Sequence, residues 1–371
     1  MFVRRCWYVA AWGHELAQGT LISRTIINEP LVLYRVQDGG VVALEDRCCH
    51  RFAPLSAGRL EGDDVRCMYH GLKYNRSGAC IEVPGQSVIP PKARVRSFPV
   101  VEKHGWIWVW MGEPALASEE LIPPAVGPAD PKWTLRCGHM DYEANYQLIN
   151  DNLTDFTHLS YVHPKSFGTS EEFARTRPNV ARIPRGIRVQ RWVSNPVAAD
   201  SGSPLSKDNG AYAEREVWQT YDYLAPGILL MYNGLYPTGT ADRLRRREPR
   251  PEDGEPLDEN FTSQAVTPMT AASSRYFYSW GPRARQGSAP VADMMLELAK
   301  VAFAEDKTVI EAQQRIINFD PHRQELLTSA DLGPVQMRRV IEELLNAERE
   351  PPDTAPSRGA GRERLAEKLD V

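Results

Sequence analysis

Short apolar runs separated by glycine and proline fill the first third of the 371-residue chain. "LVLYRV" (31–36) and "VVALED" (41–46) flank "QDGG", a pattern that favours a β-hairpin. "ACIEVPG" and "GWIWVWMG" have the same strand-like character, and no stretch here keeps a helical period for long. The pattern therefore predicts an all-β region that extends to about residue 120.

A proline-rich segment, "EELIPPAVGPADP" (119–131), separates this region from a different pattern and predicts a domain boundary. "WTLRCGHMDYEA" then reads as a strand and "NYQLINDNLTDFTHLSYVH" as one helix, followed by strand-like segments from about 185 to 282. Two amphipathic helices are predicted after these strands, at 292–317 and 334–350. We therefore predict domains at 1–120 and 121–350, with a mobile tail at 351–371.

Composition narrows the classes of function. The formal net charge of −4 argues against nucleic acid or an anionic membrane as partner, and the longest apolar run is too short to span a bilayer. No secretory leader is evident, so we expect a cytoplasmic protein. Six unevenly spaced cysteines in a reducing compartment are more often metal ligands than disulfide partners.

The first candidate metal site lies in "DRCCHRFAPLSAGRLEGDDVRCMYHG" (46–71). Cys48-x-His50 and Cys67-x-x-His70 offer two thiolates and two imidazoles from two loops. This two-plus-two set suits a tetrahedral zinc ion or a Rieske [2Fe–2S] cluster, in which two histidines replace two cysteines on one iron. Arg51, Gly71 and a following "VPGQ" (83–86) favour the Rieske interpretation, although spacing alone leaves zinc open.

The second candidate site lies in "NDNLTDFTHLSYVHP" (150–164). On a regular helix, Asp155 and His158 fall within about 60° of each other on an apolar face, whereas His163 lies about 140° from His158. Both histidines can bind one ion only if the helix ends or distorts near residues 160–162. By itself the pattern is weak, because two hydrogen-bonded core histidines would explain it about as well.

A third ligand would complete the two-histidine, one-carboxylate triad of non-haem iron(II) enzymes. The helix at 292–317 supplies Asp306, which falls near the centre of a predicted inner face formed by Met295, Leu298, Ala299, Ala302, Val309, Ile310 and Gln313. A buried carboxylate is costly unless it is bound, which ranks Asp306 ahead of Glu305 and Asp320. The alternative is a carboxylate tied to an arginine.

Together these motifs resemble the oxygenase components of Rieske non-haem iron systems, and the vanillate and dicamba O-demethylases in particular. The resemblance covers nearly the whole chain. It rests on "WYVAAW", "CCHRFAPLSAGRL", "CMYHGLKYNRSG", "VPGQ", "GWIWVWMG", "DNLTDFTHLSYVH", "VTPMTAASSRYFYSWG", "FAEDKTVIEAQQR" and "VQMRRVIEELL". It implies an α+β fold, with a small all-β Rieske domain followed by a helix-grip catalytic domain containing an antiparallel sheet and long helices.

The resemblance also implies roles for individual residues. Cys48, His50, Cys67 and His70 would bind the cluster, with Cys49 a bystander, and His158, His163 and Asp306 would bind the iron. Asp155 would bridge the iron's histidine and the cluster's histidine of a neighbouring subunit in a homotrimer. Asn152 would lie next to the iron.

The implied reaction uses O2 and a mononuclear Fe(II) to remove an O- or N-linked alkyl group from a substituted aromatic compound. Ring cis-dihydroxylation is the alternative. The chain has no dinucleotide, flavin or plant-type ferredoxin motif, so electrons are expected from a separate ferredoxin and NAD(P)H-dependent reductase. The sheet at about 215–235 and 261–281 is expected to form the substrate pocket, with candidate contacts Asn233, Gln264, Tyr278, Trp280 and Glu297.

Overall fold

The computed structural model describes residues 1–198, 201, 203, 205, 215–285 and 289–349. The predicted tail at 351–371 lies outside the described residues. None of the helices in the described ranges is long and apolar enough to cross a membrane.

The N-terminal region is all β, as its apolar pattern predicts, and contains three small sheets. Its "QDGG" turn closes through a hydrogen bond from the Val36 N–H to the Gly40 carbonyl. One sheet has the order β1-β11-β10, a second β2-β3-β4-β9, and a third β5-β6-β7-β8. The strands are β1 Trp7–Trp12, β2 Leu21–Ile26, β3 Glu29–Arg35, β4 Val41–Glu45, β5 Arg59–Glu61, β6 Asp64–Arg66, β7 Lys73–Tyr74, β8 Cys80–Glu82, β9 Ser97–Phe98, β10 Val100–Lys103 and β11 Trp106–Trp110.

The C-terminal region is built on a seven-stranded antiparallel sheet with the order β12-β18-β17-β16-β15-β14-β13. Its strands are β12 Arg136–Tyr142, β13 Asn179–Ile183, β14 Gly186–Ser194, β15 Arg215–Leu224, β16 Ile228–Pro237, β17 Asp258–Thr270 and β18 Ser273–Pro282. The α-helices are α1 Tyr146–Thr154, α2 Leu159–Val162, α3 Glu171–Arg175, α4 Thr240–Arg243, α5 Ala289–Ile317 and α6 Leu332–Arg349.

Helix α5 packs against strands β12 and β18, and α6 packs against α1 and β14. The inner face of α5 buries Met295, Leu298, Ala299, Ala302 and Ile310 as expected, together with Phe303. The predicted inner positions Val309 and Gln313 are exposed, because the buried stripe is narrower at the C-terminal end of the helix. Arg338 of α6 donates to both carboxylate oxygens of Asp151, which ties α1 to α6.

Tryptophans join the two regions into one continuous packing arrangement. Trp12, Trp106, Trp108 and other buried residues of the N-terminal region form a cluster with Ile228, Ala265 and Phe277 of the large sheet. A larger apolar cluster also contains residues from both regions. Apolar packing is therefore continuous between the two regions. The domain boundary near residue 120 stays a prediction.

The single helix predicted over 145–163 is wrong. Helix α1 ends at Thr154, Asp155 is extended (φ −131°, ψ 105°), and a 3-10 helix over Phe156–His158 leads into α2. The Asp155 side chain accepts a hydrogen bond from the Thr157 N–H and so caps the new helix. The capping aspartate, Asp155, two residues before Thr157 was the sequence signal that we missed. Because the helix is interrupted at Asp155, the helical periodicity that placed Asp155 and His158 on one face does not apply.

Candidate metal centres

The first centre is formed by the loops that follow β4 and β6. Cys48 and Cys67 are each only 2% exposed, whereas His50 and His70 are exposed, and the two imidazole rings lie edge to face with centroids 4.5 Å apart. Backbone hydrogen bonds from the Phe52 N–H to the Cys48 carbonyl and from the Gly71 N–H to the Cys67 carbonyl close the two loops. The arrangement directs two thiols inward and two imidazoles to the surface.

This donor set fits a two-iron cluster better than one zinc ion. A tetrahedral zinc ion needs its four donors to converge on a point. Among the described residues, one group of three His, Cys, Asp or Glu donors lies within 4.8 Å of one another, and it includes none of Cys48, His50, Cys67 and His70. None of the six cysteines is paired in a disulfide in this structure, which describes all of them.

The "VPGQ" loop packs against the second cluster loop through Pro84. Gly71 has φ +75°, and a Cβ atom at this position would lie 2.9 Å from the Pro84 side chain. Cys49, the expected bystander, has its Sγ atom 3.2 Å from the Tyr74 hydroxyl, which also lies 3.1 Å from the Cys48 Sγ atom. At position 71, the positive φ and the nearby Pro84 side chain both require glycine.

The second centre brings together His158, His163 and Asp306, whose donor atoms all lie within 4.8 Å of one another. The Asp306 Oδ1 atom is 3.4 Å from His158 Nε2 and 3.2 Å from His163 Nε2. His163 is the C-cap residue of α2, so the helix does end where a shared ion requires it to. The three residues converge although Asp306 is far away in the sequence.

Hydrogen bonds orient both imidazoles toward a metal. His158 Nδ1 lies 2.7 Å from the Asp155 carbonyl oxygen, and His163 Nδ1 lies 2.8 Å from Glu305 Oε2. Because both partners are acceptors, each Nδ1 carries the proton and each Nε2 presents its lone pair to the centre. His163 Nε2 is buried without a hydrogen-bond partner, which fits a metal ligand.

The carboxylate of Asp306 is held in its ionised form. Burial raises its pKa, but hydrogen bonds and positive charge from His158 and His163 in their protonated forms, which a bound cation would replace, outweigh this effect and lower the pKa to about 2. The Asn152 side-chain N–H also donates to Asp306 Oδ1 over 3.1 Å. Two imidazoles and an ionised carboxylate form the donor set of a non-haem iron(II) site, so the residues present fit this metal.

Glu305, ranked below Asp306 as a third ligand, has a different position. Its Oε2 atom accepts hydrogen bonds from His163 Nδ1 and from the Ser166 hydroxyl, the latter over 2.6 Å. It therefore orients a ligand instead of joining the triad, a role the sequence argument missed. The other candidate, Asp320, is exposed beyond the end of α5.

An apolar cavity lies against this centre. His158, Asp306 and Asn152 form one wall, and its apolar lining is Leu153, Phe156, Leu159, Phe167, Met231 and Phe303. The predicted contacts Asn233, Gln264 and Trp280 line the cavity. Gln219 and Thr262 also line it and were not predicted, although buried polar residues within apolar strands were the available signal.

Two predicted substrate contacts do not line the cavity. The Glu297 side chain is 70% exposed and pairs with Lys300 over 2.6 Å on the outer side of α5, so its prediction as a contact is wrong. Helical geometry places it away from the stripe that contains Asp306. Tyr278 is buried against Phe303, with ring centroids 4.8 Å apart.

Comparison with known proteins agrees with these two centres. Residues 6–99 match the Rieske [2Fe–2S] domain family, and residues 142–347 match the vanillate O-demethylase oxygenase C-terminal domain family. The second match covers more than half of the chain. The chain therefore belongs to the Rieske non-haem iron oxygenases that carry this C-terminal domain.

Relatives of this type cover nearly its full length. The iron–sulfur subunit of the toluene-4-sulfonate monooxygenase system of Comamonas testosteroni is 42% identical over 351 residues, which are 94% of this chain and 98% of that protein. The oxygenase component of dicamba O-demethylase from Stenotrophomonas maltophilia is 35% identical over 353 residues, 92% of this chain and 98% of that one.

A solved structure of dicamba monooxygenase bound to dicamba superposes with a TM-score of 0.78 at 31% identity, over 94% of this chain and 99% of that one. Another, with non-haem iron and dicamba, gives a TM-score of 0.73 at 30% identity with the same coverage. The predicted fold and enzyme class are confirmed: this is a Rieske-type non-haem iron monooxygenase. Its cofactors are a [2Fe–2S] cluster and a non-haem iron, and its co-substrate is O2. Which residues hold the metals stays a prediction.

Proposed function

We propose that this oxygenase hydroxylates an alkyl C–H bond on a substituted aromatic compound. If the alkyl carbon is bonded to O or N, the hydroxylated product collapses and releases an aldehyde, so the outcome is dealkylation. The observation that carries this proposal is an apolar cavity that opens directly onto His158 and Asp306. The names of relatives, which include a toluenesulfonate monooxygenase and a dicamba demethylase, support it.

The proposed metal ligands divide into two sets. Cys48, Cys67, His50 and His70 hold the cluster, whereas His158, His163 and Asp306 hold the iron. When bound, the cluster supplies electrons one at a time and the iron activates O2. The hydrogen bonds of Asp155 and Glu305 keep the two iron-binding imidazoles in one tautomer and orientation.

The cavity residues determine which carbon reacts. Phe156, Phe167 and Phe303 surround the space in front of Asp306 and suit the faces and edges of one aromatic ring. Their apolar side chains also exclude water from the reacting C–H bond. Asn152 donates to Asp306 and so keeps this carboxylate directed toward the cavity. We propose that the ring lies between the phenylalanines with its alkyl group toward His158 and Asp306.

We propose that a neighbouring copy of the chain delivers the electrons. The cluster loops expose His70 together with Phe52, Met68 and Tyr69, which are 72%, 60% and 64% exposed. An exposed apolar rim around a redox group suits a protein contact. We propose a homotrimer in which His70 of one copy contacts Asp155 of the next, supplied by a ferredoxin and an NAD(P)H-dependent reductase. Light scattering of the holoprotein tests this assembly, and a monomer contradicts it.

A screen of methoxy-, N-methyl- and methyl-substituted aromatics with a surrogate reductase tests the reaction. Aldehyde release or a hydroxymethyl product, coupled to O2 and reductant consumption, supports alkyl hydroxylation. A cis-diol as the product would instead identify the rival ring dihydroxylation. The Asp306→Ala variant serves as the background, because it retains the cluster and lacks one proposed iron ligand.

A further inference from the structure

A row of polar side chains crosses four neighbouring strands beside the cavity. Arg191 of β14 lies opposite Gln219 of β15, which lies opposite Asn233 of β16, which lies opposite Asn260 of β17. Hydrogen bonds join each neighbouring pair: Arg191 Nε to Gln219 Oε1 over 2.9 Å, Gln219 Nε2 to Asn233 Oδ1 over 3.0 Å, and Asn233 Nδ2 to Asn260 Oδ1 over 3.0 Å. We refer to these four residues as the polar row.

Both ends of the polar row fix its direction. Arg191 has only donors, so the Gln219 atom that faces it must be the carbonyl oxygen. At the far end, the Trp280 indole N–H donates to Asn260 Oδ1 over 3.0 Å and requires the same orientation there. Gln219 and Asn233, which line the cavity, therefore each retain one side-chain N–H beyond the row. On this wall of the cavity, the polar row therefore offers side-chain N–H groups that can donate hydrogen bonds.

Arg191 is a buried cation whose guanidinium group is incompletely hydrogen-bonded. Arg191 is 5% exposed, and it forms no ion pair within 4.0 Å with any of the described residues. Its Nη2 atom has no hydrogen-bond partner. The guanidinium carbon lies 4.0 Å from the centroid of the Phe173 ring. Arg191 lines a second cavity together with Asp155 and Tyr221, and the charge of Asp155 acts on the guanidinium group through space.

The charge persists at neutral pH. Burial lowers the pKa of Arg191 to about 10, so the side chain stays protonated near pH 7. A positive charge within a low-dielectric interior acts over longer distances than one in water. It therefore polarises the Gln219 and Asn233 amides and favours negative charge on the cavity side of the polar row.

We propose that Arg191 is a positioning residue that selects aromatic substrates with an anionic substituent, acting through Gln219 and Asn233. This proposal rests on the proposed function, because it assumes that the aromatic substrate occupies the cavity. The substituent would be a carboxylate or a sulfonate, whose oxygens accept the remaining amide N–H groups. Its alkyl group would then point toward His158 and Asp306.

Binding of matched probes to the anaerobic holoprotein tests the proposal without turnover. The pairs are 4-methylbenzenesulfonate with 4-methylphenyl methyl sulfone, and 4-methoxybenzoate with 4-methoxyacetophenone, measured by calorimetry. We expect the wild-type protein to bind the anion about tenfold more tightly, since hydrogen bonds to charged groups are the stronger ones. Arg191→Met should reduce this preference to about twofold or less, whereas Arg191→Lys should retain most of it.

Two further variants complete the experiment. Arg188→Met removes an exposed arginine of β14, the strand that contains Arg191, and should leave the preference unchanged. Arg188 pairs with Asp222 of the neighbouring strand β15. Gln219→Glu gives Arg191 an ionic partner, so it should fold even if Arg191→Met does not, and it should abolish the preference. Cluster absorbance and iron content establish that each variant is loaded.

The outcomes separate this proposal from the proposed function. Equal binding of both probes by the wild type, or an undiminished preference in loaded Arg191→Met or Gln219→Glu protein, overturns the role of Arg191 alone. If neither member of either pair binds, the result contradicts both the role of Arg191 and the proposed function, which requires an aromatic substrate in the cavity.

Discussion

The predicted cluster site, on the two cluster loops, and the predicted iron site are built in opposite ways. The first takes all its donors from residues 48–70, on two loops closed by their own backbone hydrogen bonds, and leaves both imidazoles exposed. The second joins residues 158 and 163 to residue 306 and buries two of the three ligands. Exposure suits electron exchange between proteins, whereas burial suits a reaction that must exclude water.

The difference extends to the groups that orient the ligands. In the cluster loops, a glycine with positive φ and the Pro84 ring shape the turn around His70. In the iron site, a backbone carbonyl and Glu305 each hold one Nδ1–H. A local site is thus maintained by loop conformation, and a long-range site by side-chain partners from other elements.

The largest effect is expected at the local site. Cys67→Ser should remove the cluster and all turnover, because a neutral hydroxyl replaces a buried thiolate ligand. Absorbance and inorganic sulfide content measure the loss. Cys49→Ser is the matched control, since Cys49 is the neighbour that only approaches the Tyr74 hydroxyl, and it should keep the cluster. A fully loaded Cys67→Ser protein would remove Cys67 from the ligand set.

At the long-range site, Asp306→Ala should abolish turnover and lower the content of mononuclear iron while the cluster spectrum stays unchanged. The reason is that the only carboxylate of the triad is lost from a buried position. Asp320→Ala, at an exposed position, should leave both iron content and turnover at wild-type values. Turnover that survives in Asp306→Ala would show that another residue supplies the third ligand.

The same contrast explains what the sequence could predict. The grouping of Cys48, His50, Cys67 and His70 on two neighbouring loops was predictable because their spacing in the sequence is short, and their role as ligands stays a prediction. Asp306 was predictable because a carboxylate on the apolar stripe of α5 needs a partner. The helix period predicted the buried positions Met295 and Ala302 but not the end of the stripe.

Features that depend on contacts between distant elements were not predictable. The orienting role of Glu305 requires knowing that His163 packs beside α5, and no local pattern contains this information. The polar row is set by the register of four strands, so Arg191 and Gln219 were missed. The break at Asp155 was missed for a local reason: the capping signal of Asp155 before Thr157 was outweighed by the apolar period around it.

Asp155→Asn tests the link between the two centres. The backbone carbonyl that orients His158 is retained, whereas the carboxylate charge is lost. We expect both metal centres to remain loaded. Turnover should fall by more than it does in a Glu305→Gln variant. Stopped-flow measurement of cluster reoxidation with substrate and O2 locates the defect. Wild-type reoxidation in this variant would exclude Asp155 from the electron path.

The smallest effect is expected for Glu305→Gln, which keeps an acceptor for His163 Nδ1 but removes its charge. Mutation of such an orienting partner usually weakens metal binding by about 10- to 100-fold. The dissociation constant for Fe(II), measured by competition with a chelator, should rise by this factor, and excess Fe(II) should restore turnover.

Glu297→Gln is the control on the same helix, because Glu297 is exposed and pairs with Lys300 on the outer side of α5. It should change neither iron affinity nor turnover. Equal iron affinity in Glu305→Gln and Glu297→Gln proteins would mean that His163 holds its orientation by packing alone. The long-range site would then orient this ligand without help from a charged side-chain partner, as the cluster loops do.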